Sequence, residues 1–126
     1  MIAAYVEARI RRPAPTWGHV VSQSTPVVAF GDASVARVAT LGLNPSRVEF
    51  LDGSGALLHG SRRRLATHAS LGLSDLSNCS DDIVSLILDD CNNYFKNAPY
   101  RRWFDRLMPV LEACDASYYD GTAILT

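Results

Sequence analysis

The chemistry of this chain converges on Gly42-Leu43-Asn44-Pro45-Ser46, a pentapeptide that follows directly on an apolar run. Two readings of Asn44 stand side by side. It is a turn former, placed before a proline that forces its predecessor into extended geometry, or its amide positions a water or a ligand at a strand end. Gly42 permits close approach of a backbone or ligand. Arg47 follows within the same loop, and Arg62, Arg63 and Arg64 lie near an expected helix start, where free backbone N–H groups also favour anions. Further arginines cluster at Arg9/Arg11/Arg12 and Arg101/Arg102/Arg106, either as phosphate-facing patches or because Lys96 is the only lysine and arginine is the default cation.

Other reactive residue types read as structural. His19, His59 and His68 have no Cys, Asp or Glu at ligand spacing. Asp81/Asp82 and Asp89/Asp90 resemble paired carboxylates, but helical neighbours diverge by about 100°, so they are capping and solvent-facing charges. Tyr94, Phe95, Trp103 and Phe104 recur at helical spacing and are expected in the core. Tyr118-Tyr119-Asp120-Gly121 ends an element at a turn and is a candidate border for a pocket. The cysteines Cys79, Cys91 and Cys114 form no metal-binding cluster, and Cys91 and Cys114 fall at apolar periodic positions expected to be buried and reduced. No metal and no organic cofactor are indicated.

The elements that must hold these residues follow from periodicity. Val38 to Leu43 is apolar and rich in β-branched and aliphatic residues, predicting a buried strand that Asn44-Pro45 terminates. Residues 51–60 are glycine-rich and read as a loop. Ser61 is positioned to cap a helix over Arg62–Leu71 that stops at Gly72. Ser80 caps the clearest helix, with Asp81 and Asp82 on its first turn and an apolar stripe of Ile83, Ile87, Cys91 and Phe95 widened by Val84, Leu88 and Tyr94. Pro99 suits the start of a second helix bearing Trp103, Leu107, Val110, Leu111 and Cys114, kinked or restarted at Pro109. Residues 116–126 form a second strand interrupted by Asp120-Gly121. Before the central strand, Pro26–Phe30 suggests a short edge strand turning at Gly31-Asp32. Residues 1–25 read as an N-terminal arm, a short helix or strand followed by Trp17 and His19–Val21 laid on the surface.

Strand, loop, helices, strand is an α/β pattern with a parallel crossover. The length of 126 residues, 48% hydrophobic content and net charge of −1 fit one globular unit and single out neither a nucleic-acid nor a membrane partner. No apolar run approaches the ~18 residues of a membrane span, nothing resembles a signal peptide, and a cytoplasmic location is the default expectation. A parallel sheet is usually buried on both faces; because the chain closes on Ala123-Ile124-Leu125-Thr126 with nothing to cover that strand, a truncated domain is expected.

Gly42-Leu43-Asn44-Pro45-Ser46 resembles the first active-site motif of the uracil-DNA glycosylase superfamily, most of all the mismatch-specific thymine/uracil branch with its Gly-(Ile/Leu)-Asn-Pro-Gly. The segment Gly55 to Arg64 is similar to that branch's glycine-rich stretch leading into an Arg-containing helix. Tyr94-Phe95, Pro99-Tyr100, Trp103-Phe104 and Ser117–Asp120 resemble a set of proteins carrying the same fold. The resemblance spans residues 26–126. It implies a three-layer α/β/α domain around a parallel sheet, of which this chain would be the N-terminal portion. The implied activity is hydrolysis of the N-glycosidic bond of a base flipped out of DNA. Asn44 would hold the attacking water, an amide orienting water without being a strong base. Gly42, Leu43, Pro45 and Ser46 would line the base pocket, with Phe50 and Leu57 beside them, and Arg47, Arg62 and Arg63 would contact DNA phosphates.

Two departures qualify the resemblance. An aliphatic Leu57 or Leu58 falls where the branch carries a base-stacking aromatic, and the second motif, a His- or Ser-bearing loop, is missing. A non-catalytic nucleic-acid- or nucleotide-binding module of the same fold is therefore the competing expectation. A third is a fragment whose exposed strand edges drive self-association.

Overall fold

The computed structural model describes residues 2–15 and 18–126, so the expected packing of Trp17 lies outside the described residues. Helix α1 (Ala4–Arg11) is followed by a long irregular segment, strand β1 (Val38–Thr40), and short helix α2 (His68–Leu71). Helix α3 (Asp81–Asn92) is the longest element, and α4 (Arg101–Phe104), α5 (Met108–Glu112) and β2 (Ala123–Leu125) complete the order. The protein is mixed α/β. β1 and β2 pair in parallel, Val38 opposite Ala123 and Thr40 opposite Leu125. Phe30 forms an antiparallel bridge to Leu125 on the other side of β2 through two backbone hydrogen bonds of 2.7 and 3.1 Å. β2 is thus interior and buried along its length, while β1 has no strand against its outer edge among the described residues.

The helix α3 forms as its sequence dictates. Ser80 accepts a hydrogen bond from the Ile83 N–H, Asp81 and Asp82 occupy the first turn, and Val84, Ile87 and Cys91 are buried. Its apolar face is shared between two core clusters. One gathers Phe30, Phe50, Leu65, Cys91, Tyr94, Phe104, Leu111, Tyr118 and, from β2, Ala123 and Leu125. The other joins Ile10 of α1 with Ala66, Leu76, Val84 and Ile87. The N-terminal segment is therefore built into the core through Ile10. Arg11 also fastens it to the start of α3, pairing with Asp81 at 2.6 Å and donating to the Cys79 carbonyl at 3.1 Å.

Several expectations change. β1 ends at Thr40, and Leu41 and Leu43 are exposed, Leu41 at 88%. Beyond Thr40 the chain continues to follow β2 only through Gly42, whose N–H donates to the Thr126 carbonyl. The expected helix over Arg62–Leu71 is instead a 3-10 turn at Gly60–Arg62, an extended buried stretch Leu65–Thr67, and α2. The extended stretch is held by the Thr25 hydroxyl, which donates to the Ala66 carbonyl at 2.7 Å, and by the Ser24–Thr67 bridge. Thr67 then caps α2 with a reciprocal Thr67–Ser70 capping box, and Gly72 closes it in the left-handed conformation. Pro109 does restart the helix, near the first position of α5. The break shifts the buried face, so Phe104 and Leu111 are inside while Trp103, Val110 and Cys114 are exposed. Gly121 turns the chain at positive φ into β2.

Candidate functional site

The loop 42–46 leaves the carboxyl end of β1 beside the carboxyl end of β2, and the geometry there is largely local. Without a side chain, Gly42 sits against Leu125, whose Cδ1 would be 3.3 Å from an added Cβ. Leu43 is fully exposed, and Asn44, Pro45 and Ser46 are exposed with it. The Asn44 Nδ2 donates to the neighbouring Pro45 carbonyl at 3.2 Å, leaving its carbonyl oxygen open to solvent. Ser46 caps the 3-10 turn Arg47–Glu49 by accepting from the Val48 N–H, which fixes where the loop ends.

Of the other predicted site residues, Phe50 does not reach this surface. It is buried in the first core cluster, next in sequence to the 3-10 turn. Leu57 is half-buried, bridged to Leu51 across a tight loop. That loop is tied by Asp52, whose carboxylate accepts from Ser54 N–H and hydroxyl and from Ala56 N–H. Those donors, the Ser54 hydroxyl foremost, hold the Asp52 carboxyl down at about 2. Among the proposed phosphate contacts, Arg47 is exposed without an ion-pair partner among the described residues. Arg62 pairs with Asp52 at 3.4 Å, and Arg63 pairs with Asp90 of α3. Asp90, read as a solvated helix charge, thus anchors Arg63.

The residue that sequence reasoning missed is Glu49. It is only 4% exposed, and its carboxylate accepts a 2.5 Å hydrogen bond from the Tyr94 hydroxyl. Tyr94, itself fully buried, accepts in turn from the Tyr100 N–H at 2.9 Å. No cation lies within ion-pair distance of Glu49 among the described residues. Burial therefore dominates, pushing its carboxyl up to about 7 against the opposing Tyr94 hydrogen bond and the more distant charge of Arg64. The same burial, with Glu49 beside it, raises the Tyr94 phenol above its ordinary value. A signal was present in the sequence: Glu49 is a lone acid inside the apolar run Val48–Leu51.

Val48, next to this buried acid, and Tyr100 help to line a cleft of about 460 Å³, together with Leu51, Asp52, Arg62 and Arg64 among others. A separate depression of about 520 Å³ at Gln23, His68 and Gly72 carries no comparable grouping of charge. Among the described residues no group of three His, Cys, Asp or Glu is placed to hold a metal, and no helix is long and apolar enough to cross a membrane. No family model, curated protein or solved structure matches the chain.

Proposed function

We propose that this chain is a uracil-DNA glycosylase-like α/β domain that addresses a base flipped out of DNA. In the full three-layer α/β/α arrangement the parallel pair β1–β2 belongs to a larger sheet covered on both faces. The observation that carries the reading is the position of the Asn44 amide. It stands exposed on a loop leaving the carboxyl end of a parallel strand, where open α/β sheets bind ligands. There the Asn44 side-chain oxygen orients a water toward the sugar carbon. The bond to the base breaks and the base departs with the bonding electrons, leaving an oxocarbenium-like sugar; water's oxygen then adds to the sugar carbon, and the proton it sheds passes to the departed base. The exposed guanidinium of Arg47 contacts a phosphate, while Arg62 and Arg63 do so after exchanging or sharing their acidic partners.

A second reading, a non-catalytic nucleic-acid- or nucleotide-binding module, is favoured by one specific feature. Asn44 has only a backbone partner, and no other polar side chain hydrogen-bonds to it among the described residues. An assay on duplexes with G·U and G·T mismatches, with alkaline cleavage of abasic sites, separates the two. Base release supports the first reading. Salt-dependent DNA affinity without release supports the second, and neither release nor binding defeats both.

A further inference from the structure

We propose that the cleft between Val48–Gly53, Ser61–Arg64 and Ala98–Tyr100 is an oxyanion-binding site in which Arg64, with Arg62 at the rim, takes a phosphate group. This inference does not rest on the base-excision reading, since it concerns Arg64 and its cleft rather than Asn44.

Arg64 is half-buried, and three contacts fix its guanidinium. Nε donates to the Ala98 carbonyl at 3.0 Å, Nη1 donates to the Val48 carbonyl at 2.6 Å, and the group stands 5.6 Å over the Tyr100 ring. All three are neutral partners. No carboxylate lies within ion-pair distance of Arg64 among the described residues, and Nη2 has no hydrogen-bond partner among them. A cation held this way, partly out of water and with no carboxylate at ion-pair distance, attracts an anion more strongly than an exposed, mobile arginine does.

No surrounding acid pairs with Arg64 directly, and Glu49 reaches it only as a more distant charge. Asp52 is committed to Arg62 and to the donors of its own loop. Glu49 accepts from the buried Tyr94 hydroxyl and is not part of the lining. The cleft therefore carries two guanidiniums against one carboxylate, and its volume accommodates a phosphate with an attached group. Guanidinium N–H groups match the spacing of phosphate oxygens, which favours this anion class. Either free inorganic oxyanion or a nucleic-acid phosphodiester has the required chemistry.

Two probes of fixed charge near neutrality test the proposal by calorimetry on the full chain: sulfate, and the phosphodiester dinucleotide thymidylyl-thymidine. Binding of either is expected, weakened about tenfold or more by Arg64→Gln and by less in Arg62→Gln, whose side chain is exposed and pairs only with Asp52. Arg12→Gln, an exposed change just past the end of α1 and outside the cleft lining, is expected to leave binding unchanged. Equal binding of both probes assigns the site to the oxyanion alone, and tighter dinucleotide binding assigns it to nucleic acid. Because Arg64 also ties two carbonyls, its folding is checked by circular dichroism, and Arg62→Gln carries the test if Arg64→Gln unfolds. No binding of either probe, or binding that the folded cleft variants leave unchanged, overturns the proposal.

Discussion

Glu49→Gln is the substitution whose effect the structure prescribes most fully. In the unfolded chain the Glu49 carboxyl titrates near its ordinary 4.5, whereas in the fold burial holds it at about 7. The folded protein therefore binds the extra proton between these values. The stabilisation this provides is fully present below about pH 4.5 and is lost as pH rises through about 7. At 1.36 kcal/mol per pKa unit, the gap corresponds to about 3 kcal/mol of folding stability lost between mildly acidic and mildly alkaline solution. Glutamine keeps the size of the side chain and a carbonyl for the Tyr94 hydroxyl, and it cannot ionise. The variant should match the native chain within about 1 kcal/mol near pH 5 and exceed it by up to about 3 kcal/mol near pH 8. Urea unfolding monitored by circular dichroism across that range measures both curves. A native curve without the fall, or a fall of equal size in Glu49→Gln, would refute the assignment of this slope to Glu49.

Other substitutions have defined outcomes. Tyr94→Phe removes the hydroxyl that serves both Glu49 and the Tyr100 N–H, so it should cost about 1–3 kcal/mol; it should also move the pH inflection upward, since that hydrogen bond favours the charged carboxylate. Phe104→Ala should cost about 3–5 kcal/mol in thermal or urea unfolding, because the ring is 1% exposed and meets Phe30, Tyr94, Phe95 and Tyr118 at centroid distances of 4.8 to 5.5 Å. Gly31→Ala should destabilise by about 1–3 kcal/mol or more, since φ is +102° and the new Cβ would stand 2.9 Å from Ile124 Cγ2. Leu41→Ser and Leu43→Ser, both at exposed positions, should change stability by about 0.5 kcal/mol at most. In sedimentation the same pair tests self-association along the open edge of β1: loss of concentration-dependent mass would support it, and unchanged association would exclude these leucines from the contact.

Local rules served the elements whose signals agree. Around α3 the cap, the first-turn acids and the apolar stripe all point one way, and the helix forms where they indicate. Gly72 and Pro109 likewise act as punctuation. Arg62–Leu71 fails because tertiary partners outweigh helix propensity: Leu65 and Ala66 are buried in different core clusters, and the Thr25 hydroxyl donates to the Ala66 carbonyl. Trp103 and Cys114 are exposed because the restart at Pro109, itself expected, also rotates the buried face, which helical spacing alone does not encode. Within the candidate site, the exposed Asn44 loop was legible from its turn chemistry. The Glu49–Tyr94–Tyr100 chain was not, because it joins residues 45 positions apart and rests on burial, which periodicity does not encode. Arg64 is set apart from Arg62 and Arg63 by its partners: two carbonyls and a ring against Asp52 and Asp90.

The proposed role of Asn44 is tested most directly by single-turnover base release from a G·U duplex, with the native chain and Asn44→Ala side by side. The side chain is exposed and bonded only to Pro45, so its removal should leave the fold intact. Release by the native chain, slowed about a hundredfold or more in Asn44→Ala at unchanged DNA affinity, is the predicted result. Equal release by both proteins, or none by either, would contradict a water-orienting role for Asn44.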